Sequence, residues 1–224
     1  MKQYPSIEYW NKGIFGENIY AFDKLDGSNI RAEWSRKLSK KTSFTNGFNK
    51  FGTRRQMIDG KNDLWGWAVD LFMDKYSSEL DKIFREDKQF RNARNMTVFF
   101  EYFGDQSFAG RHFDKLQDMN VVLFDVSQFQ KGLIIPKTFV EKFGHLDIPK
   151  IIYQGNYNKQ LIADVRNNVY GLTEGVVVKG SRKTKGDELV WMVKIKTIEW
   201  LNKVKNTLGQ EELKTELNGD LSLL

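Results

Sequence analysis

Two neighbouring segments, "TEGVVVKGSR" (173–182) and "ELVWMVKIKT" (188–197), constrain this chain most. β-Branched and apolar residues fill both, and the loop between them is rich in Lys and Gly, a pattern that predicts a β-hairpin. Side chains alternate across a strand, so Lys194 and Lys196 share one face. Two ammonium groups side by side attract anions, phosphate among them.

The rest of the chain mixes strands and helices. "NIYAFDKL" (18–25) and "NIRAEWSRKL" (29–38) read as strands separated by the turn signal Asp26-Gly27. Leu64, Trp67, Ala68, Leu71, Phe72, Leu80, Ile83 and Phe84 recur at helical spacing, which predicts one or two amphipathic helices over 62–90. "MTVFFEYFG" and "MNVVLFDVSQF" are strongly apolar strands, and "PKIIYQ" is a short one. "TFVEKFGHL" and "NKQLIADVRNNVYG" predict short helices, the second ended by Gly171. From about 197 the periodicity is helical again. The expected fold is α+β, with locally paired strands and helices outside them.

The length of 224 residues suits one main domain. With 40% hydrophobic residues and charges spread along the chain, a globular protein is expected. No apolar run approaches the ~18 residues of a membrane span. The start, "MKQYPSIEYWNKG", lacks a signal-peptide pattern, so an intracellular, cytoplasmic protein is expected. Cys is absent, which excludes disulfides and thiolate zinc sites. The only histidines, His112 and His145, are far apart in sequence, so a His-rich metal centre is not expected.

Charge is uneven. Residues 31–55 hold eight basic residues and one acid, Glu33, for a net +7, more than the +6 of the whole chain. Trp34, Phe44, Phe48 and Phe51 stand between these charges. Two readings follow: a grip for nucleic acid with flat faces for stacking, or a solvated basic hairpin whose aromatics are core.

In "FDKLDGSN" (22–29) Lys24 stands beside Asp23 and just before Asp26-Gly27. No P-loop is present, since Arg182 occupies the place of its second glycine in "GSRKT". Nucleotide chemistry here needs another device, and a covalent lysine is one, because a neutral amine can attack an α-phosphorus. An ordinary lysine is protonated at pH 7, so nearby cations or a hard divalent metal must favour loss of the proton. Lys194 and Lys196 could supply the cations. Glu101 inside "VFFEYFG" and Glu174 before "GVVVKG" are charges amid apolar residues, each in need of a partner or a function.

Taken in order, "KLDGSN" (24–29), "EYFG" (101–104), "VVLFDV" (121–126), "EGVVVKG" (174–180) and "VKIK" (193–196) resemble motifs I, III, IIIa, IV and V of the covalent nucleotidyltransferases, the superfamily of polynucleotide ligases and capping enzymes. The resemblance implies a ligase adenylation domain with antiparallel sheets, flanking helices and an ATP-grasp-like core. It makes Lys24 the nucleophile that takes AMP from ATP. Glu101 would contact the sugar and Phe124 would stack on the base. Glu174 would support the metal, Mg²⁺ or Mn²⁺, and the reacting phosphate, while Lys194 and Lys196 would bind phosphate. The motif Ia arginine is Arg54 or Arg55, with Arg54 favoured.

Asn29, where DNA ligases usually carry arginine, and the acid Asp23 before the lysine are similar to the RNA ligases of the Rnl2-like and RNA-editing group. The resemblance therefore implies an ATP-dependent RNA ligase joining 5′-phosphate to 3′-hydroxyl ends. The alternatives are a minimal ATP-dependent DNA ligase and a non-catalytic nucleic-acid-binding relative. Expected partners are RNA ends, with RNA/DNA hybrid or DNA as variants, and no membrane. A single domain over 1–224 is expected, with no OB-fold after motif V, so that a protein partner or the basic segment would supply the missing grip. So small an enzyme would suit a viral protein in a host cell.

Overall fold

The computed structural model of the chain describes residues 1–41, 45–58, 63–104, 118–208, 211, 213–214 and 217. In chain order the strands are β1 (Glu8–Tyr9), β2 (Asn18–Asp23), β3 (Ser28–Ser35), β4 (Phe48–Thr53), β5 (Met57–Ile58), β6 (Asn95–Phe103), β7 (Asn120–Gln128), β8 (Gly132–Leu133), β9 (Ile151–Asn156), β10 (Gly175–Lys183) and β11 (Glu188–Lys196). The helices are α1 (Arg36–Lys41), α2 (Asp63–Glu86), α3 (Pro136–Phe143), α4 (Lys159–Arg166) and α5 (Ile198–Leu208). They fall into two units: Met1–Tyr4, Asp26–Ile134 and Thr138–Ile148 form the first, and Pro5–Leu25, Ile135–Lys137 and Pro149–Leu224 the second.

The first unit is built on the sheet β5-β4-β3-β6-β7-β8, antiparallel throughout. Register pairs Ile30 with Phe100 and Ala32 with Phe51, so the apolar sets of three strands share one face. Helix α2 covers that face with Ala68, Phe72, Tyr76, Leu80 and Phe84, four residues apart and all buried. Phe72 stacks on Phe100 with centroids 4.6 Å apart and meets Phe48 edge-on at 5.1 Å. Burying each such ring stabilises by roughly 2–3 kcal/mol relative to exposure. Trp67, expected in the apolar row, is 54% exposed, one residue off the line that faces the sheet.

The second unit is built on the sheet β1-β11-β10-β2-β9. Only β1 runs parallel to its neighbour. Ile19, Ala21, Val176, Val178, Val193 and Ile195 form its core face, packed with Leu161, Ile162 and Val165 of α4. Trp200, Leu201 and Val204 of α5 make a second cluster with Tyr9, Leu213 and Leu217. Strand alternation leaves Phe22, Val177, Lys179, Lys194 and Lys196 on the opposite face.

The predicted hairpin of β10 and β11 forms, pairing Gly175 with Lys196 and Val177 with Lys194. The expectation of local pairing around Asp26-Gly27 does not hold. Strand β2 pairs with β10 and β9, whereas β3 pairs with β4 and β6. Gly27 serves a close approach instead: a Cβ there would lie 2.6 Å from Tyr102 O and 2.9 Å from Glu101 Cγ. Helix α4 ends at Arg166, before the expected stop at Gly171, because Asn168 adopts φ 55° and its side chain accepts the N–H of Leu172. The expected C-terminal helix is present as α5, and part of the sequence after it, like Phe44 and His112, lies outside the described residues.

Candidate active site

Lys24 follows directly on β2 and keeps its register, since its N–H donates to Gly175 O at 3.0 Å. Thr197 N–H likewise donates to Glu174 O at 3.0 Å, so the residues just beyond β10 and β11 stay paired. Gly175 makes this closeness possible. Its φ is 153°, and a Cβ would fall 2.1 Å from Ile195 O. These backbone ties bring three side chains together. Lys24 Nζ lies 2.7 Å and Lys196 Nζ 2.5 Å from the same oxygen, Glu174 Oε1. The side chains of Lys196 and Glu174 are closed to water, while that of Lys24 is 23% exposed.

Burial alone would raise the pKa of Glu174, but the ammonium groups of Lys24 and Lys196 outweigh it and hold the carboxyl below its ordinary value. Lys196 is pushed down to about 8, first by burial and then by repulsion from Lys24 and Lys194, against the attraction of Glu174. The pKa of Asp23 is raised, by burial above all and then by Glu174, against the pull of Lys150. One carboxylate thus faces two cations, with Lys194 near enough to act on Lys196. This is the excess positive charge that a polyphosphate needs.

Glu174 Oε2 is buried and has no hydrogen-bond partner. An anionic oxygen of this kind suits a hard divalent cation. No cluster of three or more His, Asp or Glu able to hold a metal unaided occurs among the described residues, so such an ion would need oxygens from a ligand or water.

The other predicted site residues belong to the first unit. Asn29 and Glu101 are directly paired across β3 and β6 and share a face. Asn29 Oδ1 is buried without a hydrogen-bond partner. Phe124 falls at a β-bulge, since β7 pairs Asp125 with Phe99 and then Leu123 with Phe100. Arg54 and Arg55 are exposed in the β4–β5 turn, where Thr53 Oγ1 accepts the N–H groups of Arg55 and Gln56.

The basic segment divides by burial. Trp34, Phe48 and Phe51 are core. Arg31 is 5% exposed, and Arg36 donates to Ala93 O, Phe84 O and Phe90 O. Only Lys37, Lys40, Lys41, Lys50, Arg54 and Arg55 are left at the surface, and Lys50 pairs there with Glu33.

Sequence reasoning gave no role to Lys179, Tyr9 or Asp125. Lys179 is 4% exposed, with Nζ 5.0 Å from the Phe22 ring centroid. Tyr9 is paired with Lys194, whose Nζ lies 5.8 Å from its ring. Asp125 is buried. The period of two in "GVVVKG" could have placed Lys179 on the face of Phe22, but Tyr9 arrives from a distant part of the chain.

No protein-family model matches the chain, and no curated protein matches it. Solved structures do. A mutant RNA ligase of Naegleria gruberi with AMP and Mn aligns with TM-score 0.63 and 16% identity, over 92% of this chain and 59% of that one. A second, apo mutant of the same ligase aligns with TM-score 0.61 and 15% identity, over 92% and 58%. A putative ATP-dependent DNA ligase from Aquifex aeolicus aligns with TM-score 0.58 and 16% identity, over 100% and 59%. The chain thus spans under two thirds of the length of these neighbours. With its antiparallel-dominated sheets and flanking helices, it has the α+β fold of ligase nucleotidyltransferase domains, the fold that its motifs imply.

Proposed function

We propose that the chain is the adenylation domain of an ATP-dependent RNA ligase, which joins 5′-phosphate and 3′-hydroxyl ends through a lysyl-AMP intermediate. The single observation that carries this reading is the convergence of Lys24 and Lys196 on Glu174 Oε1. A lysine needs neighbouring cations to become a nucleophile, and the phosphate it attacks needs cations to bind; this cluster offers both.

Lys24 Nζ, on a side chain 23% exposed, gives up a proton to solvent, attacks the α-phosphorus of ATP and forms a P–N bond as the P–O bond to the leaving pyrophosphate breaks. Lys194 and Lys196 hold the phosphates by charge, and Glu174 keeps Lys24 pointed into this cluster. Phe124 stacks on the base, Glu101 contacts the sugar, and Asp23 and Asn29 complete the nucleotide contacts, as the motif resemblance assigns them. Glu174, whose Oε2 is buried without a hydrogen-bond partner, would help to hold a divalent ion, Mg²⁺ or Mn²⁺, which would neutralise phosphate charge. AMP then passes to a 5′-phosphate, and a 3′-hydroxyl displaces it. The Naegleria ligase neighbours with AMP or ATP and Mn support the choice of nucleotide and metal type.

Intact mass after incubation with ATP and Mg²⁺ tests the reading. The expected result is a gain of one AMP in the wild type and none in Lys24→Ala. Absence of any adduct from folded wild-type protein would sink it and favour a nucleic-acid-binding relative. The Aquifex neighbour supports a second substrate reading, a DNA ligase. Sealing of nicked all-DNA duplexes as fast as RNA-containing ones would favour it. Arg54 and the exposed lysines of the basic segment are the proposed contacts to the strand.

A further inference from the structure

Residues Met1–Tyr4 lie on the sheet of the first unit. Arg31 Nη1 donates to Lys2 O at 3.1 Å, and a Cβ on Gly52 would come within 3.0 Å of Met1 Cε, so the segment is held against β3 and β4. Tyr4 reaches β6 and β7. Its hydroxyl donates to Asp125 Oδ2 at 2.8 Å, and both residues are buried. The Tyr4 ring meets Phe124 edge-on, with centroids 5.0 Å apart at 89°, and meets Phe99 at 4.9 Å and 63°. Burial first, then Asp125 and Glu101, raises the phenol well above its ordinary pKa, which keeps it a proton donor.

Phe124 is the odd residue of the β6–β7 bulge, so strand register does not fix where its ring points. Its neighbours do. Phe99 stacks against it with centroids 6.4 Å apart at 29°, and Tyr4 closes on it from the edge while anchored to the adjacent Asp125. A stacking platform works best when its plane is set before the ligand arrives, because no ordering is then needed on binding.

We infer that Tyr4 is a positioning residue for the nucleotide base: its bond to Asp125 and its edge contact hold the Phe124 ring ready for stacking. The inference rests on the proposed role of Phe124 with ATP. Loss of Tyr4 therefore acts on base binding.

The test is single-turnover lysyl-AMP formation as a function of ATP in wild type, Tyr4→Leu and Tyr4→Phe, with inorganic tripolyphosphate as a competing ligand that has phosphates and no base. Tyr4→Leu is expected to raise the half-saturating ATP concentration about tenfold, a loss on the scale of one edge-on aromatic contact, with the maximal rate within about twofold. Inhibition by tripolyphosphate should not change. Tyr4→Phe keeps the ring and drops the hydroxyl, so a rise of about threefold is expected, and it carries the same comparison should Tyr4→Leu fail to fold. Unchanged ATP dependence, or equal weakening of ATP and tripolyphosphate, would overturn the inference while leaving the adenylylation reading intact. Absence of adduct in the wild type would instead overturn that reading, and this inference with it.

Discussion

Lys196 Nζ sits 2.5 Å from Glu174 Oε1, with both side chains closed to water. Their dependence on each other is measurable. Glu174→Ala would leave Lys196 buried without the Glu174 carboxylate, and removing one partner of a buried pair costs ~3–5 kcal/mol. Urea unfolding should register a loss of that size. Replacing both residues together, as Glu174→Leu with Lys196→Met, should recover much of the stability and none of the adenylylation.

Stability should also respond to pH through Lys196. Its pKa is about 8 in the folded chain and near the ordinary lysine value of ~10.4 when unfolded, so between these values the unfolded chain binds more protons. Below pH 8 both states are protonated and the cost of burying the charge is present in full. As pH rises from about 8 towards 10 that cost is relieved, and stability should rise. Lys196→Met should abolish the rise. Denaturant midpoints at pH 7, 8, 9 and 9.5 for the two proteins give the comparison, and equal slopes would refute it.

Gly175→Ala should damage fold and site together. The added methyl would fall 2.1 Å from a backbone oxygen, at a φ that other residues rarely adopt. A loss of at least ~2 kcal/mol is expected, with lysyl-AMP formation falling further than the unfolded fraction explains, since Glu174 and Lys24 are both set from this residue. Thermal melts combined with adduct yield separate the two effects.

Basic residues 31–55 should divide into two groups. Arg36→Met removes donors to three carbonyls and should cost ~2–4 kcal/mol, with the protein that remains folded still forming adduct. Changing the exposed Lys37, Lys40 and Lys41 to Glu should leave the melting temperature unchanged. It should weaken RNA binding and flatten its salt dependence by about 0.7 in log–log slope for each phosphate of a single strand that is no longer neutralised. Titrations at several salt concentrations check this, and an unaltered slope would remove α1 from the strand path.

Much of this was legible because strands announce their faces. The alternation in "VKIK" placed Lys194 and Lys196 on one side of β11, and Glu174, a charge before an apolar run, is the ion-pair partner of Lys196. What stayed hidden depends on tertiary neighbours. Arg36 and Lys37 are adjacent in a basic run, yet one is built into the protein and the other is at the surface. Asp26-Gly27 has the spelling of a hairpin turn, but Gly27 is required by the approach of Tyr102 O, a residue 75 positions away. Tyr4 and Asp125 stand 121 residues apart, and no local pattern links them.

If Lys24 carries AMP as proposed, its backbone bond to Gly175 would limit how far the nucleotide can travel. The main chain at this lysine is woven into the sheet, so an AMP carried on Nζ can move only by rotation about the bonds of one flexible four-carbon stem. On the proposed function the tether is short, and a nucleic-acid end would have to come to this fixed point to collect its AMP.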